Sequence, residues 1–189
     1  DEEARAVPDA ALPVYTVLVP VFHEPLLADL VERLETLDYP RHLLDIQLLL
    51  EADDDETAEA AKTLQPRDHL GIVYVPSREP RTKPKACNYG FLTSEGQMCT
   101  IYDAEDAADP WQLRRAVVAM RRLGPDYACV QARLGFYNSD QNLLTRWFAL
   151  DYGSWFANML PGLVALGAPV PLGGTSNHFR ADVLRATGA

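Results

Sequence analysis

Five short apolar runs alternate along this chain with stretches whose apolar residues recur at helical spacing, and that alternation leaves few folds open. Thr16 to Val21 is the first run, continuous and rich in β-branched residues, as suits a strand buried on both faces. After His23-Glu24-Pro25, residues Leu26, Leu27, Leu30, Val31, Leu34 and Leu37 mark the inner stripe of a helix that Asp38-Tyr39-Pro40 ends. Ile46 to Leu50 is a second strand, followed by a helix to about Leu64. Ile72 to Val75 precedes a helix from Lys85 to Thr93, Met98 to Tyr102 one from Pro110 to Leu123, and Tyr127 to Ala132 is a fifth strand. The expected class is α/β: an open, mostly parallel sheet with helices on both faces.

Such a sheet binds ligands at the carboxyl ends of its strands. The polar clusters lie there: His23-Glu24, Asp53 to Asp55, and Asp103, Glu105 and Asp106. The last cluster interrupts an apolar strand with three carboxylates in four positions. Two readings fit it. Bunched carboxylates repel, and a bound divalent cation relieves that; all-oxygen sites suit Mg²⁺ or Mn²⁺, which reach a substrate through its phosphates. Alternatively the cluster is a solvated turn leading to the helix that Asp109-Pro110 starts.

Charge narrows the partners. The chain has 27 acidic and 17 basic residues, a formal net charge of −10, which argues against nucleic acid. Against that background Arg78, Arg81, Lys83 and Lys85 crowd into eight positions, either as a solvated loop or as a phosphate contact aided by a helix N-terminus. Cys87, Cys99 and Cys129 form no CxxC pair, so a disulfide framework or structural zinc is not expected and a reducing setting is. No apolar run reaches the length of a membrane span. No phosphate loop, dinucleotide fingerprint or HExxH helix occurs, and Gly174-Thr-Ser-Asn-His178 lacks the turn of a serine hydrolase.

Residues 1–13 read as a polar linker and 14–189 as one domain. Asn142 to Met159 is helical and dense in aromatics, expected to be core or a docking face, and Leu160 to Pro171 an apolar connector able to touch a partner or membrane. The chain lacks an initiating Met and is expected to be part of a longer protein.

From about Val14 onward the chain resembles the family-two glycosyltransferases of GT-A fold, above all the membrane-bound branch related to bacterial cellulose synthases and other processive β-glycan synthases. Val17-Leu-Val-Pro-Val-Phe-His-Glu24 is similar to the opening VxVPxYNE strand. Leu49-Leu-Glu-Ala-Asp-Asp-Asp-Glu-Thr57 resembles the segment whose Asp residues face uracil and ribose, and Lys83-Pro-Lys-Ala-Cys-Asn88 the KAxALN segment near the nucleotide. Tyr102-Asp-Ala-Glu-Asp106 resembles the metal-binding DxD, with Glu105 at the second Asp, and Gly173-Gly-Thr-Ser-Asn-His-Phe-Arg180 the strand before the acceptor-side helix.

The resemblance implies transfer with inversion from a UDP-sugar donor to a glycan acceptor in polysaccharide synthesis, helped by Mg²⁺ or Mn²⁺. It implies nucleotide contacts from Pro20, Glu24, Asp53, Asp54, Lys85 and Asp103, phosphate contacts from Arg81 and Lys85, and metal ligation by Asp103 and Glu105. Gly174, Thr175, Ser176 and His178 are implied on the acceptor side. It also implies a TED-like motif with the general base after Ala189, further segments embedding the whole protein in a membrane, and a site on the cytoplasmic face of the bacterial inner membrane. Three other readings compete. A nucleotidyltransferase wants a Gly-rich basic loop where His23-Glu24-Pro25 stands, an Asp-nucleophile phosphohydrolase wants its Asp loop at the first strand, and a silent nucleotide-binding module needs no base.

Overall fold

Alternation along the two central strands divides the interior into two cores. In β1 (Tyr15–Val21) and β2 (Leu44–Glu51), Tyr15, Val17, Val19, Val21, Ile46, Leu48 and Leu50 face one core, while Leu18 and Leu49 face the other. A strand buried on both faces cannot alternate apolar with polar, which is why these runs are continuous.

The computed structural model describes residues 2–188. With β3 (Leu70–Val75), β4 (Met98–Ile101), β5 (Cys129–Gln131) and β6 (Asn177–Arg180), the strands form one sheet in the order β3-β2-β1-β4-β6-β5. β1 to β4 run parallel, and β6 lies antiparallel between β4 and β5. The pairings Val21 with Leu50 and Glu51 with Val75 bring the carboxyl ends of β1, β2 and β3 to one edge, and Leu18 with Ile101 sets the end of β4 beside them.

The first core is covered by α2 (Leu27–Leu34) through Leu27, Leu30, Val31 and Leu34, by Ala61 of α3 (Asp55–Lys62), and by Leu113, Val117 and Met120 of α5 (Gln112–Leu123). The second is covered by Ala86, Cys87 and Phe91 of α4 (Lys83–Thr93) and Ala181 of α8 (Ala181–Ala186). Helices on both faces of a mostly parallel sheet are the architecture the sequence predicts.

Three segments add to or sharpen the expectation. The polar start of the chain is α1 (Glu2–Ala6) plus a short turn, and it is docked rather than loose: the Arg114 guanidinium, nearly buried, donates to Val7 O at 3.0 Å and Asp9 at 2.6 Å, and to Asp38 at 3.1 Å. A buried cation must be paired, and α5 pairs this one with the N-terminal segment. The aromatic stretch is α6 (Leu143–Ser154), capped by reciprocal Asn142–Thr145 hydrogen bonds and without a single buried residue; Trp147 is 66% exposed, so these rings are a surface and not core. The stretch ends in a π turn, Trp155–Met159, and the expected connector opens as α7 (Leu160–Ala165). The wider turn sits just before Pro161, which has no N–H to continue the ordinary ladder. Among the described residues no helix is long and apolar enough to cross a membrane.

Candidate functional site

β1, β2 and β4 each end in residues too polar for the sheet, and these ends meet in a cleft of about 340 Å³. Its walls include Pro20 of β1 and Glu24 after it, Glu51 closing β2, Asp103 and Glu105 after β4, and Arg81, Thr82 and Lys83 at the start of α4. Acidic and basic groups far apart in the chain thus share one edge.

The basic side is set by how α4 begins. Thr82 is its N-cap, its hydroxyl accepting from the Lys85 N–H at 3.4 Å, and Pro84 occupies an early position where no N–H is needed. The helix therefore starts at Lys83, two residues earlier than the spacing predicts, and Lys83 lies at the cleft mouth. Its ammonium is ion-paired with the Asp103 carboxylate and donates to the Gly174 carbonyl at 2.6 Å. Lys85, one position past Pro84, turns the other way. It donates to Glu51 at 3.0 Å and to the carbonyls of Pro76 and Arg78 at 2.9 and 3.0 Å. Three N–H groups have three partners, so Lys85 is not offered to a phosphate; it fastens the Glu51 carboxylate in place. Arg81 does reach the cleft, paired with Asp53 at 2.6 Å.

Asp53 and Asp54 are adjacent and opposite in role. Asp54 has a fully buried side chain that accepts from the His23 N–H at 2.7 Å, the Thr57 N–H at 3.1 Å and the Thr57 hydroxyl at 2.6 Å, capping α3 and tying it to the loop after β1. Burial works to raise its pKa, but the hydrogen bonds from Thr57 and His23 outweigh it and hold the carboxyl below its ordinary range. With its lone pairs committed, Asp54 is a structural cap and not a base contact. Asp53 keeps its side chain partly exposed.

The segment expected on the acceptor side divides likewise. Gly174 and Thr175 border the end of β4: the Thr175 hydroxyl bonds the Asp106 carboxylate, which also accepts the Asp103 N–H at 2.9 Å. Asp106 thereby organises the loop rather than facing a ligand. Ser176 takes a positive φ of 55° as the chain turns into β6, and its N–H donates to Ile101 O at 2.8 Å. His178 is 1% exposed and faces the first core between Tyr15 and Tyr102, with Nδ1 at 2.6 Å from the Tyr15 hydroxyl. Burial lowers the His178 pKa to about 4 and keeps it neutral. Its side chain lies among core rings and not in the cleft.

Pro20, Glu24, Arg81, Asp103 and Glu105 are thus brought together as the sequence suggests; Lys85, Asp54 and His178 are not. Glu51 is the residue the sequence reading does not single out, and Lys83 enters it only as one member of the basic run. A signal existed for each: Glu51 is a carboxylate ending an apolar strand, as Asp103 is, and Thr82-x-Pro84 is a helix-start pattern that puts Lys83 at the first position.

A divalent ion fits this donor set. Among the described residues no three His, Cys, Asp or Glu side chains are grouped to enclose an ion by themselves. Two carboxylates on one wall are nevertheless what Mg²⁺ or Mn²⁺ use when substrate phosphates and water complete the shell.

Comparison with known proteins agrees with this architecture. The family described as Glycosyltransferase like family 2 matches residues 13–189. Glucomannan 4-beta-mannosyltransferase 1 of Oryza sativa subsp. japonica is 30% identical over 154 residues, 76% of this chain and 29% of its own length. A probable glycosyltransferase, YdaM, of Bacillus subtilis (strain 168) is 23% identical over 143 residues, 74% of this chain and 34% of its own. The chain thus spans about a third of these curated relatives. Among solved structures, the mannosyltransferase PcManGT of Pyrobaculum calidifontis, in complex with GDP-Man and Mn2+, superposes over 100% of this chain and 52% of its own with TM-score 0.69 and 18% identity. S. aureus TarS 1-349 in complex with UDP-GlcNAc superposes over 92% of this chain and 47% of its own, with TM-score 0.65 and 14% identity.

Proposed function

This chain belongs to glycosyltransferase family 2, and from that premise we propose that its cleft binds a nucleoside-diphosphate sugar, with uridine as the nucleoside, through a divalent cation held by Asp103 and Glu105. One observation carries the reading: Asp103 and Glu105, which a cation would neutralise, line one cleft together with Arg81 and Lys83, in a chain of net charge −10. Acid and base in one cleft suit a ligand that is itself a cation–diphosphate complex.

The residues divide the donor between them. Arg81 lies where a diphosphate can be clamped, and its partner Asp53 is the partly exposed carboxylate nearest it, available to accept from the base. Glu51, immobilised by Lys85, offers a second fixed acceptor for base or ribose. Pro20 of β1 and Glu24 after it form part of the wall. When bound, the cation supplies Lewis-acid stabilisation of the charge that grows on the departing diphosphate. Gly174 and Thr175 border the side from which a glycan hydroxyl approaches the anomeric carbon, with inversion as the outcome. Deprotonation of that hydroxyl is left to a carboxylate base assigned to none of residues 2–188. Polysaccharide synthesis rests on the family resemblance and the glucomannan mannosyltransferase relative, and a membrane setting for the whole protein on the family resemblance alone.

Calorimetry with UDP in Mn²⁺ and in EDTA tests the donor site. Binding is expected in Mn²⁺, weakened severalfold or more in EDTA, with GDP weaker than UDP. Asp103→Asn removes charge at nearly constant volume and is expected to abolish the metal dependence. Equal UDP affinity in Mn²⁺ and EDTA would show that Asp103 and Glu105 hold no ion for the nucleotide.

A further inference from the structure

Resting on the donor-site reading above, we propose that Lys83 is a built-in counter-cation that keeps the metal site closed to free divalent ions and releases it only when a nucleoside diphosphate arrives. The Lys83 ammonium pairs with the carboxylate of Asp103, a residue the cation needs, and is held there from a second direction by the Gly174 carbonyl.

Three elements fix this geometry. Thr82 caps α4 and places Lys83 at its first position. Asp103 is oriented through its N–H by Asp106, and Asp106 is anchored in turn by the Thr175 hydroxyl. Lys83 thus bridges the loop after β4 and the turn before β6, two segments that Asp106 and Thr175 already tie together. The lysine is about one-third exposed, so its stem can swing without unfolding α4.

An ammonium and a divalent ion on one carboxylate repel each other over a few ångströms in a partly buried cleft. A free ion therefore binds Asp103 either against that repulsion or by displacing Lys83, which then loses its counter-charge. A nucleoside diphosphate removes that penalty, because its phosphate oxygens take over the ammonium as the cation takes over Asp103. Metal and nucleotide then bind with positive coupling, and coupling of this kind is reciprocal.

The experiment measures Mn²⁺ affinity of the chain without nucleotide, by calorimetry and by the loss of the free-ion Mn²⁺ resonance, for the natural protein and for Lys83→Met, Lys83→Gln and Lys83→Arg. Lys83→Met and Lys83→Gln are expected to bind Mn²⁺ about tenfold more tightly than the natural protein, the scale of one partly exposed ion pair. Lys83→Arg, which keeps the charge, is expected to stay within about twofold. The gain in Mn²⁺ affinity caused by added UDP should shrink in the neutral variants. Unchanged or weaker Mn²⁺ binding in whichever neutral variant folds, including no detectable binding in any protein, overturns the proposal. The donor-site reading is judged separately, by whether the natural protein binds UDP with Mn²⁺.

Discussion

At the scale of single residues, what a charged group is bonded to decides what it can do. Lys85 lies in a basic run that suggests phosphate, yet it is satisfied by Glu51, Pro76 and Arg78, while Lys83 two positions earlier holds Asp103. Lys85→Met is therefore expected to weaken uridine and UDP by about the same factor, because it frees Glu51 rather than removing a phosphate contact. It should also cost roughly 2–3 kcal/mol in stability by leaving a buried carboxylate unpaired. Calorimetry with both ligands checks the first part, and a large loss for UDP alone would return Lys85 to the phosphates. His178 gives a pH prediction. Its pKa is about 4 in the folded protein against an ordinary 6.5, so the unfolded chain binds the extra proton between those values. The contribution to stability is whole above about 6.5 and is lost as pH falls toward 4, about 3 kcal/mol in all. Between pH 7.5 and pH 5 the natural protein should lose about 2 kcal/mol from this group, and His178→Phe should lack that portion of the acid slope in denaturant titrations.

At the scale of elements, α4 carries both lysines, and its seat on the sheet depends on one glycine. A Cβ on Gly90 would come within 2.4 Å of Leu49 Cδ2, so Leu49, 1% exposed in the second core, must shift. Helix propensity alone favours Ala over Gly by about 1 kcal/mol, but overpacking a filled core costs about 1–3 kcal/mol. Gly90→Ala is thus expected to lower stability by about 1 kcal/mol and to weaken UDP binding by moving the start of α4. A stabilised Gly90→Ala protein would mean that Leu49 repacks freely. The same element shows what sequence could reveal. Strands and inner helices are legible because burial on both faces forces continuous apolar runs; the rule that ligands sit at strand ends singles out Glu24, Asp103 and Glu105, which line the cleft, while Pro20 enters only through the family resemblance. Spacing does not reveal the place of Lys85, because its partner Glu51 lies 34 positions away on a neighbouring strand. Nor does it reveal that of His178, whose register opposite Thr100 turns its ring toward Tyr15 and Tyr102 in the core instead of toward the cleft.

At the scale of the whole molecule, net charge and ligand charge oppose each other. A protein at −10 repels a nucleoside diphosphate at long range, so association depends on the local field of Arg81, Lys83 and a divalent ion at the sheet edge. The cation matters twice, by cancelling Asp103 and Glu105 and by neutralising the diphosphate that must lie between them and Arg81. Ligand binding to the folded state alone then links this site to global stability. At UDP about 100 times its dissociation constant, with Mn²⁺ present, the stabilisation is about 2.7 kcal/mol. For a chain of 189 residues that corresponds to a rise in Tm of roughly 5–10 °C. In EDTA the same UDP concentration falls well below saturation, and the shift should shrink to about 1–2 °C if affinity drops about a hundredfold. Added salt screens Arg81 and should reduce the Mn²⁺-supported shift as well, which separates an ionic clamp from a pocket that holds the nucleoside by apolar contact alone. Thermal melts across these conditions read every part of the argument at once. A full shift in EDTA, insensitive to salt, would move the weight of binding from the carboxylates of the β4 loop to the walls around Pro20 and Glu51.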